Sequence, residues 1–352
     1  MEPSKQFALR LLKWHREKNT RQMPWKGEKD PYKIWLSEII LQQTRVEQGW
    51  DYYNRFITTY PTIQQLAAAT DERVYKLWEG LGYYSRCRNL LATARLISTE
   101  RKGQFPSRYE DILVLKGVGP YTAAAIASFA FNLPHAVVDG NVFRVLARVF
   151  GITLSSDSTE GKKYFTQLAN QLLDPRSPGE YNQAIMDFGA VVCKPAAPLC
   201  TGCPFQRTCK AYQQGKVEEW PVRTKKTTVK DRWFDYLVIE NRGRFLLRKR
   251  IGKDIWANLY EFPLLEGNRL SPKAVLKKAE GLGLLTSGQY HAVNISPWHE
   301  QLLSHQKIHA RFFDVELGPK AKKPEGYVWV SRKKITELAF PRLIAKYWTH
   351  RR

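Results

Sequence analysis

The stretch LKGVGPYTAAAIASFA, residues 115–130, decides how the first part of the chain is read. Its Gly117-Val118-Gly119 turn lies between an apolar segment end and a new alanine-rich helix. Glycines there permit backbone dihedrals closed to other residues, and the first amides of the helix have no partner inside it. Such a turn can hold a phosphate, a contact that positions a protein on nucleic acid without reading bases. A plain helix-turn-helix packing corner has the same pattern.

Outward from this hairpin, apolar residues keep helical spacing in VYKLWEGLGYY, YTAAAIASFAF and GNVFRVLARVF. That pattern predicts an all-helical part up to about residue 218. Residues 219–232, EWPVRTKKTTVKDR, are polar and basic, with Lys225, Lys226 and Lys230, and read as a linker. WFDYLVIE, NRG and RFLLRKR then read as strand, turn and strand, SPKAVLKKAEGLGL as a helix, and KIHARFFDVEL and GYVWVSR as further strands. The expectation is a helical N-terminal part joined to a smaller α+β domain at 233–352.

The 352 residues carry a formal net charge of +23, which favours a polyanionic partner, nucleic acid above all. An anionic membrane surface fits less well, because no lysine-rich amphipathic helix is apparent. Neither an N-terminal apolar signal region nor a run of eighteen apolar residues is evident, so a cytoplasmic protein is expected. Disulfides rarely persist in that compartment. Four of the five cysteines, Cys193, Cys200, Cys203 and Cys209, fall in CKPAAPLCTGCPFQRTC and therefore read as a metal or iron–sulfur site. Four ligands in one proline-rich segment suit a chain wrapped around a four-iron cluster, and zinc stays open on spacing alone.

Two carboxylates stand in contrasting settings. In AVVDGNVFRVLARVF, Asp139 precedes an amphipathic helix and can cap it; donors and the helix dipole are expected to keep it ionised. In DPYKIWLSEIILQQTRV, helical spacing puts Glu38 on the face of Ile34 and Leu41, where burial raises a carboxyl's pKa. An acid that holds its proton beside one that does not is a division of labour used in glycoside chemistry. Capping alone, for Asp139, and a buried hydrogen-bond network, for Glu38, are the structural alternatives.

WLSEIILQQTRV, WEGLGYYSRCRNL, LKGVGPYTAAAI, VVDGNV, NQAIMDFGAVVC and the Cys-x6-Cys-x2-Cys-x5-Cys segment occur in order between residues 5 and 218. Together they resemble the helix-hairpin-helix DNA glycosylases of the endonuclease III superfamily, and within it the MutY-type adenine glycosylases. The resemblance implies a 4Fe-4S cluster on the four cysteines. It implies a cluster domain from 1–28 and 133–218 and a six-helix domain at 29–132, followed by a Nudix-like domain that recognises the lesion. The implied activity is base excision repair: removal of adenine, flipped out of double-stranded DNA, from pairs with 8-oxoguanine or guanine. A monomer associated with the nucleoid is expected.

By the same resemblance Glu38 is the catalytic acid and Asp139 the carboxylate that stabilises the sugar cation, as in retaining glycosidases. Tyr121 and Asn141 match residues orienting this machinery, Gly117 and Gly119 the DNA-backbone hairpin, and Gln43 and Tyr83 side chains wedged into the base stack. Bifunctional relatives carry a lysine where this chain has Tyr121; a phenol cannot form an imine, so strand cleavage should be weak. In HEQLLSHQKIHARF, Ser304 and His305 match the polar pair of the lesion-reading loop, with Leu303 where the family often has phenylalanine. RLSPKAVLKKAEGLG has lysines where a magnesium-binding Nudix helix needs acids, which argues against diphosphate hydrolysis. A pyrimidine-lesion lyase and a non-catalytic iron–sulfur DNA-binding protein are the rival readings.

Overall fold

The computed structural model describes residues 3–224, 228–252, 254–318 and 323–351; Lys225 and Lys226 of the expected linker lie outside the described residues. The first part is helical: α1 (Pro3–Lys18), α2 (Pro31–Leu41), α3 (Val46–Thr59), α4 (Ile63–Ala68), α5 (Asp71–Trp78), α6 (Ser85–Glu100), α7 (Tyr109–Leu113), α8 (Pro120–Phe131), α9 (Gly140–Phe150), α10 (Thr159–Leu172), α11 (Pro178–Val191) and α12 (Lys210–Gln213). Then follow β1 (Lys230–Asn241), β2 (Arg244–Lys249), β3 (Tyr260–Glu261), β4 (Leu264–Gly267), α13 (Pro272–Gly281), β5 (Tyr290–Ile295), β6 (His299–Leu302), β7 (Gln306–Leu317), β8 (Val328–Ser331), α14 (Arg332–Ile335) and α15 (Arg342–His350). The helical-then-α+β expectation holds.

The chain divides into two compact units, Met1–Ala68 with Asn89–Lys225, and Ala69–Arg88 with Lys226–Arg352. In the first, α2 starts at Pro31, whose fixed φ suits the first turn, and Asp30 caps it by accepting from the Tyr32 amide at 2.9 Å. Pro120 starts α8 in the same way, and Asn132 ends it in the left-handed region at φ 54°. Ala123, Ala124, Ala125 and Ala127 of α8 are buried and α2 packs on this helix. Backbones also come close where α11 meets the start of α9: a Cβ on Gly189 would lie 2.6 Å from Asn141 Cβ. Trp14, Val145, Leu146, Phe165, Phe188 and Phe205 build the core around α1 and α9–α11.

In the second unit, β1 and β7 are parallel over a long register running from Lys230↔Gln306 to Glu240↔Glu316. Around them β2, β4, β5 and β6 pair antiparallel in one mixed sheet. Alternation fixes the faces. Leu237, Ile239, Phe313 and Val315 lie with Val275 and Ala279 of α13 in one core, while Tyr236 and Phe312 of the other face stack at 5.3 Å, and Phe312 stacks on Tyr347 of α15.

Two boundaries differ from the sequence reading. The strand begins at Lys230, inside the segment read as linker, because ladder pairing with β7 outweighs the polar composition of 230–232. Residues 69–88, read as part of the six-helix domain, group with the sheet. Within that unit the Tyr75 hydroxyl accepts from Asn258 Nδ2 at 3.1 Å, Lys76 Nζ donates to the Leu338 carbonyl at 3.1 Å, and the Phe340 amide donates to Glu79 Oε1 at 2.8 Å.

Candidate active site

The capped start of α9, the middle of α2 and the first turn of α8 meet at a cavity of about 430 Å³ in the first unit. Glu38, Tyr121, Asp139 and Asn141 all line it. Of the other residues singled out in this unit, Gln43, Gly117 and Gly119 lie outside that lining.

Glu38 is 6% exposed. Burial pushes its carboxyl up to about 7; the nearby Asp139 charge acts in the same direction, and a hydrogen bond from Tyr121 acts against both. The Tyr121 hydroxyl also lies 3.4 Å from Met186 Sδ, a weak acceptor. It has one proton to give, and an ionised carboxylate is the better acceptor. Burial and the two carboxylates raise the phenol's own pKa, so it stays a neutral donor.

Asp139 caps α9: its Oδ1 accepts from the Val142 amide at 2.8 Å and its Oδ2 from Asn141 Nδ2 at 2.7 Å. These donors pull its pKa down, yet burial is the largest influence and the net shift is upward. The donors expected from the sequence are present, and burial works against them. The contrast with Glu38 survives in the contacts, since two short donors favour the charged form of Asp139.

Arg144, unnoticed in the sequence, fixes Asn141. Its Nη2 donates to Asn141 Oδ1 at 2.8 Å and to the Gly189 carbonyl at 2.7 Å, and its Nε to the Cys193 carbonyl at 2.7 Å. The Asn141 amide is thus oriented at both ends, oxygen toward Arg144 and nitrogen toward Asp139. Arg144 and Arg148 stand four apart on an otherwise apolar helix, which is the signal that would have found them.

The cavity lining holds more residues that pattern reasoning missed. Fully buried Asp187, outside that lining, pairs with the lining residue Arg21 at 2.8 Å and accepts from Asn19 Nδ2 at 2.7 Å and from Gln183 Nε2 at 3.0 Å. The same Asn19 nitrogen faces His15 Nδ1 at 2.9 Å; as it can only donate, that ring nitrogen accepts. Burial lowers the His15 pKa, in keeping with a neutral ring. Arg21, Trp25, Val46, Gln183 and Met186 line the cavity but are scattered over two helices and a loop, with no shared spacing to mark them.

Cys193, Cys200, Cys203 and Cys209 line a second, smaller cavity. Burial pushes the Cys203 thiol up to about 11 and raises Cys193 and Cys209. Arg148, itself buried, donates to the Lys194 carbonyl at 2.7 Å and lies 3.6 Å from Cys193 Sγ. An all-sulfur donor set with a guanidinium beside it suits a soft, anionic thiolate complex. Among the described residues no three metal-ligating side chains converge on a point suited to a single ion. Four cysteine sulfurs lining one cavity are a donor set that a metal ion or an iron–sulfur group can use.

Gln43 and Tyr83 are exposed and sit in the left-handed region, at φ 57° and 47°. This costs a non-glycine residue about 1–2 kcal/mol. In the hairpin, Gln42 Nε2 donates to the Gly117 carbonyl at 3.2 Å, Gly117 has φ 81°, and space is open beside Gly119. In the second unit, Ser304 and His305 form the exposed turn between β6 and β7, and the Tyr83 hydroxyl is hydrogen-bonded to Ser304 Oγ. No helix among the described residues is long and apolar enough to cross a membrane.

Residues 36–172 match the HhH-GPD superfamily of base excision DNA repair proteins, and residues 235–350 a NUDIX domain. The chain is 34% identical over 257 residues to the adenine DNA glycosylase of Buchnera aphidicola (subspecies Acyrthosiphon pisum), covering 73% of each chain. Against the mouse adenine DNA glycosylase it is 45% identical over 217 residues, 59% of this chain and 42% of that one. A solved thermostable thymine-DNA glycosylase overlays with a TM-score of 0.56 at 29% identity, covering 60% of this chain and 97% of that one.

Proposed function

The chain belongs to the adenine DNA glycosylases, and we propose that it excises adenine paired with 8-oxoguanine or guanine in double-stranded DNA, by hydrolysis and without strand cleavage. The observation that carries this reading is one cavity holding a buried carboxyl pushed up to about 7, Glu38, beside the helix-capping Asp139. Near neutral pH the first carries a proton for a substantial part of the time, as a general acid must.

In this reading a flipped adenine enters the cavity and Glu38 delivers its proton to a ring nitrogen. The electron pair of the glycosidic bond leaves with the base. Asp139 stabilises the cation formed at the sugar. Asn141, locked by Arg144, holds Asp139 and the incoming water, whose oxygen bonds to the sugar carbon and whose proton returns to the carboxylate pair. Tyr121 donates to Glu38 and offers no amine, so the product is an intact abasic site. The net charge of +23 supports DNA as partner, with Gly117 and Gly119 on the backbone, Gln43 and Tyr83 against the stack, and Ser304 and His305 at the lesion. Cys193, Cys200, Cys203 and Cys209 would hold a 4Fe-4S cluster that pins the segment between α11 and α12 and performs no step of the reaction. A cytoplasmic, nucleoid-associated monomer completes the proposal.

The test is single-turnover incubation with duplexes carrying adenine opposite 8-oxoguanine, guanine, cytosine or thymine, followed by alkali. Cleavage is expected only after alkali and mainly opposite the first two. Strong borohydride trapping by the unmodified protein would assign the chemistry to a lysine instead.

A further inference from the structure

One group in the second unit has bonding that the proposed chemistry does not use. His309, in β7, is paired across the sheet with Trp233 of β1 and with Glu300 of β6. Its ring stacks on Trp233 at 4.1 Å and 12°. Both ring nitrogens meet carboxylates: Nε2 lies 2.6 Å from Asp231 Oδ1 and Nδ1 3.1 Å from Glu300 Oε1. A neutral imidazole has one N–H and one lone pair, so it can satisfy one of these oxygens and must turn the lone pair toward the other. Both contacts are favourable only with one further proton. Lys307, 2.8 Å from Glu300, holds that carboxyl below its ordinary range.

We propose that His309 is a positioning residue for the β6–β7 turn, an imidazolium that clamps Asp231 of β1 and Glu300 of β6 and so sets the presentation of Ser304 and His305. The clamp stands directly behind that turn. Leu303 N donates to the Gln306 carbonyl at 2.7 Å and Lys230 N to the His305 carbonyl at 3.0 Å, so the turn hangs from the same three strands that His309 joins. Among the described residues, the elements packed around the ring also carry Arg269, 5.6 Å over the Trp233 ring, and Arg311, which pairs with Asp235 on the next rung at 2.8 Å. Loss of the ring proton leaves a lone pair against a carboxylate and frees one side of the hairpin. The inference rests on the reading of Ser304 and His305 as the lesion-sensing pair.

The experiment uses the full chain and two readouts. Nitrogen-15 spectra of the histidine rings at about pH 6 report whether both nitrogens of His309 carry hydrogen. Single-turnover rates on adenine opposite 8-oxoguanine and opposite guanine give a discrimination ratio. The clamp predicts a doubly protonated ring and a wild-type ratio that falls over the pH range in which the ring loses its proton. His309→Gln should lower the ratio by roughly fivefold, the worth of one hydrogen bond, and flatten its pH dependence, with the guanine-opposed rate unchanged. If that variant loses its far-UV circular dichroism, Asp231→Asn, at an exposed position, carries the same prediction. A single neutral tautomer at about pH 6, or a wild-type ratio in the folded variant, overturns the proposal. If replacing Ser304 and His305 by alanine leaves the ratio untouched, the lesion-sensing reading and the positioning role fall together, while the ring spectra still decide whether the clamp exists.

Discussion

The cavity of the helical unit and the β6–β7 turn of the sheet unit hold polar groups in opposite ways. In the cavity, Glu38 is buried and Asp139 and Asn141 are fixed by 2.7–2.8 Å hydrogen bonds to neighbours in a low-dielectric setting. At the turn, Ser304 and His305 are exposed. The same chemical groups therefore have different leverage. A desolvated carboxyl interacts strongly with charge developing beside it, whereas a wet hydroxyl gains only the difference between a ligand and water. On the proposed function, rate depends on the first region and selectivity on the second.

The strongest test of that assignment is Glu38→Gln, nearly isosteric but unable to give a proton. It should slow adenine release by on the order of 10²–10⁴-fold in single turnover while mismatch binding in a gel-shift assay persists. The same variant should be more stable at alkaline pH. A carboxyl whose folded value is raised to about 7 contributes stability at acid pH that is lost as the pH rises through that value. The amide has no such loss, and chemical denaturation at about pH 8 should show a gain on the order of 1 kcal/mol or more. A near-wild-type rate would remove Glu38 from the chemistry.

Next in size is the pH profile of base release. Because the acid must be protonated, the rate should fall toward tenfold per pH unit above about 7 in wild type and show no such limb in Glu38→Gln. The smallest effect belongs to the turn. Replacing Ser304 and His305 together by alanine should reduce preference for 8-oxoguanine over guanine by roughly 5- to 100-fold, as for one good polar contact to a base edge. The guanine-opposed rate and the salt dependence should change little, since two neutral side chains displace few counterions. An equal loss on both substrates would erase the distinction between the two regions.

The cavity was legible in the sequence to the extent that its residues obey local rules. Asp139 could be read as a cap and Glu38 as a carboxyl on an apolar helix face, because both follow from helix geometry. Arg21, Trp25 and Gln183 were not, since their convergence depends on how α1, α2 and α11 pack. The upward pull on Asp139 was hidden for the same reason: donors are local and visible, burial is not. In the sheet, the long strands β1 and β7 were found from their apolar runs, but β3 and β4 are too short to show a period, and the parallel pairing of β1 with β7 is a long-range fact. Ser304 and His305 carry no pattern of their own, and their proposed role rests on resemblance alone.

The discontinuous make-up of the sheet unit bears on the order in which the protein can be finished on the ribosome. Lys76 and Glu79 find partners at Leu338 and Phe340, 262 and 261 residues further along. At ordinary rates of synthesis those partners emerge on the order of tens of seconds later. Throughout that interval residues 69–88 belong to an unfinished unit, and the partners of Lys76 and Glu79 at Leu338 and Phe340 arrive only with the last stretch of the chain before α15.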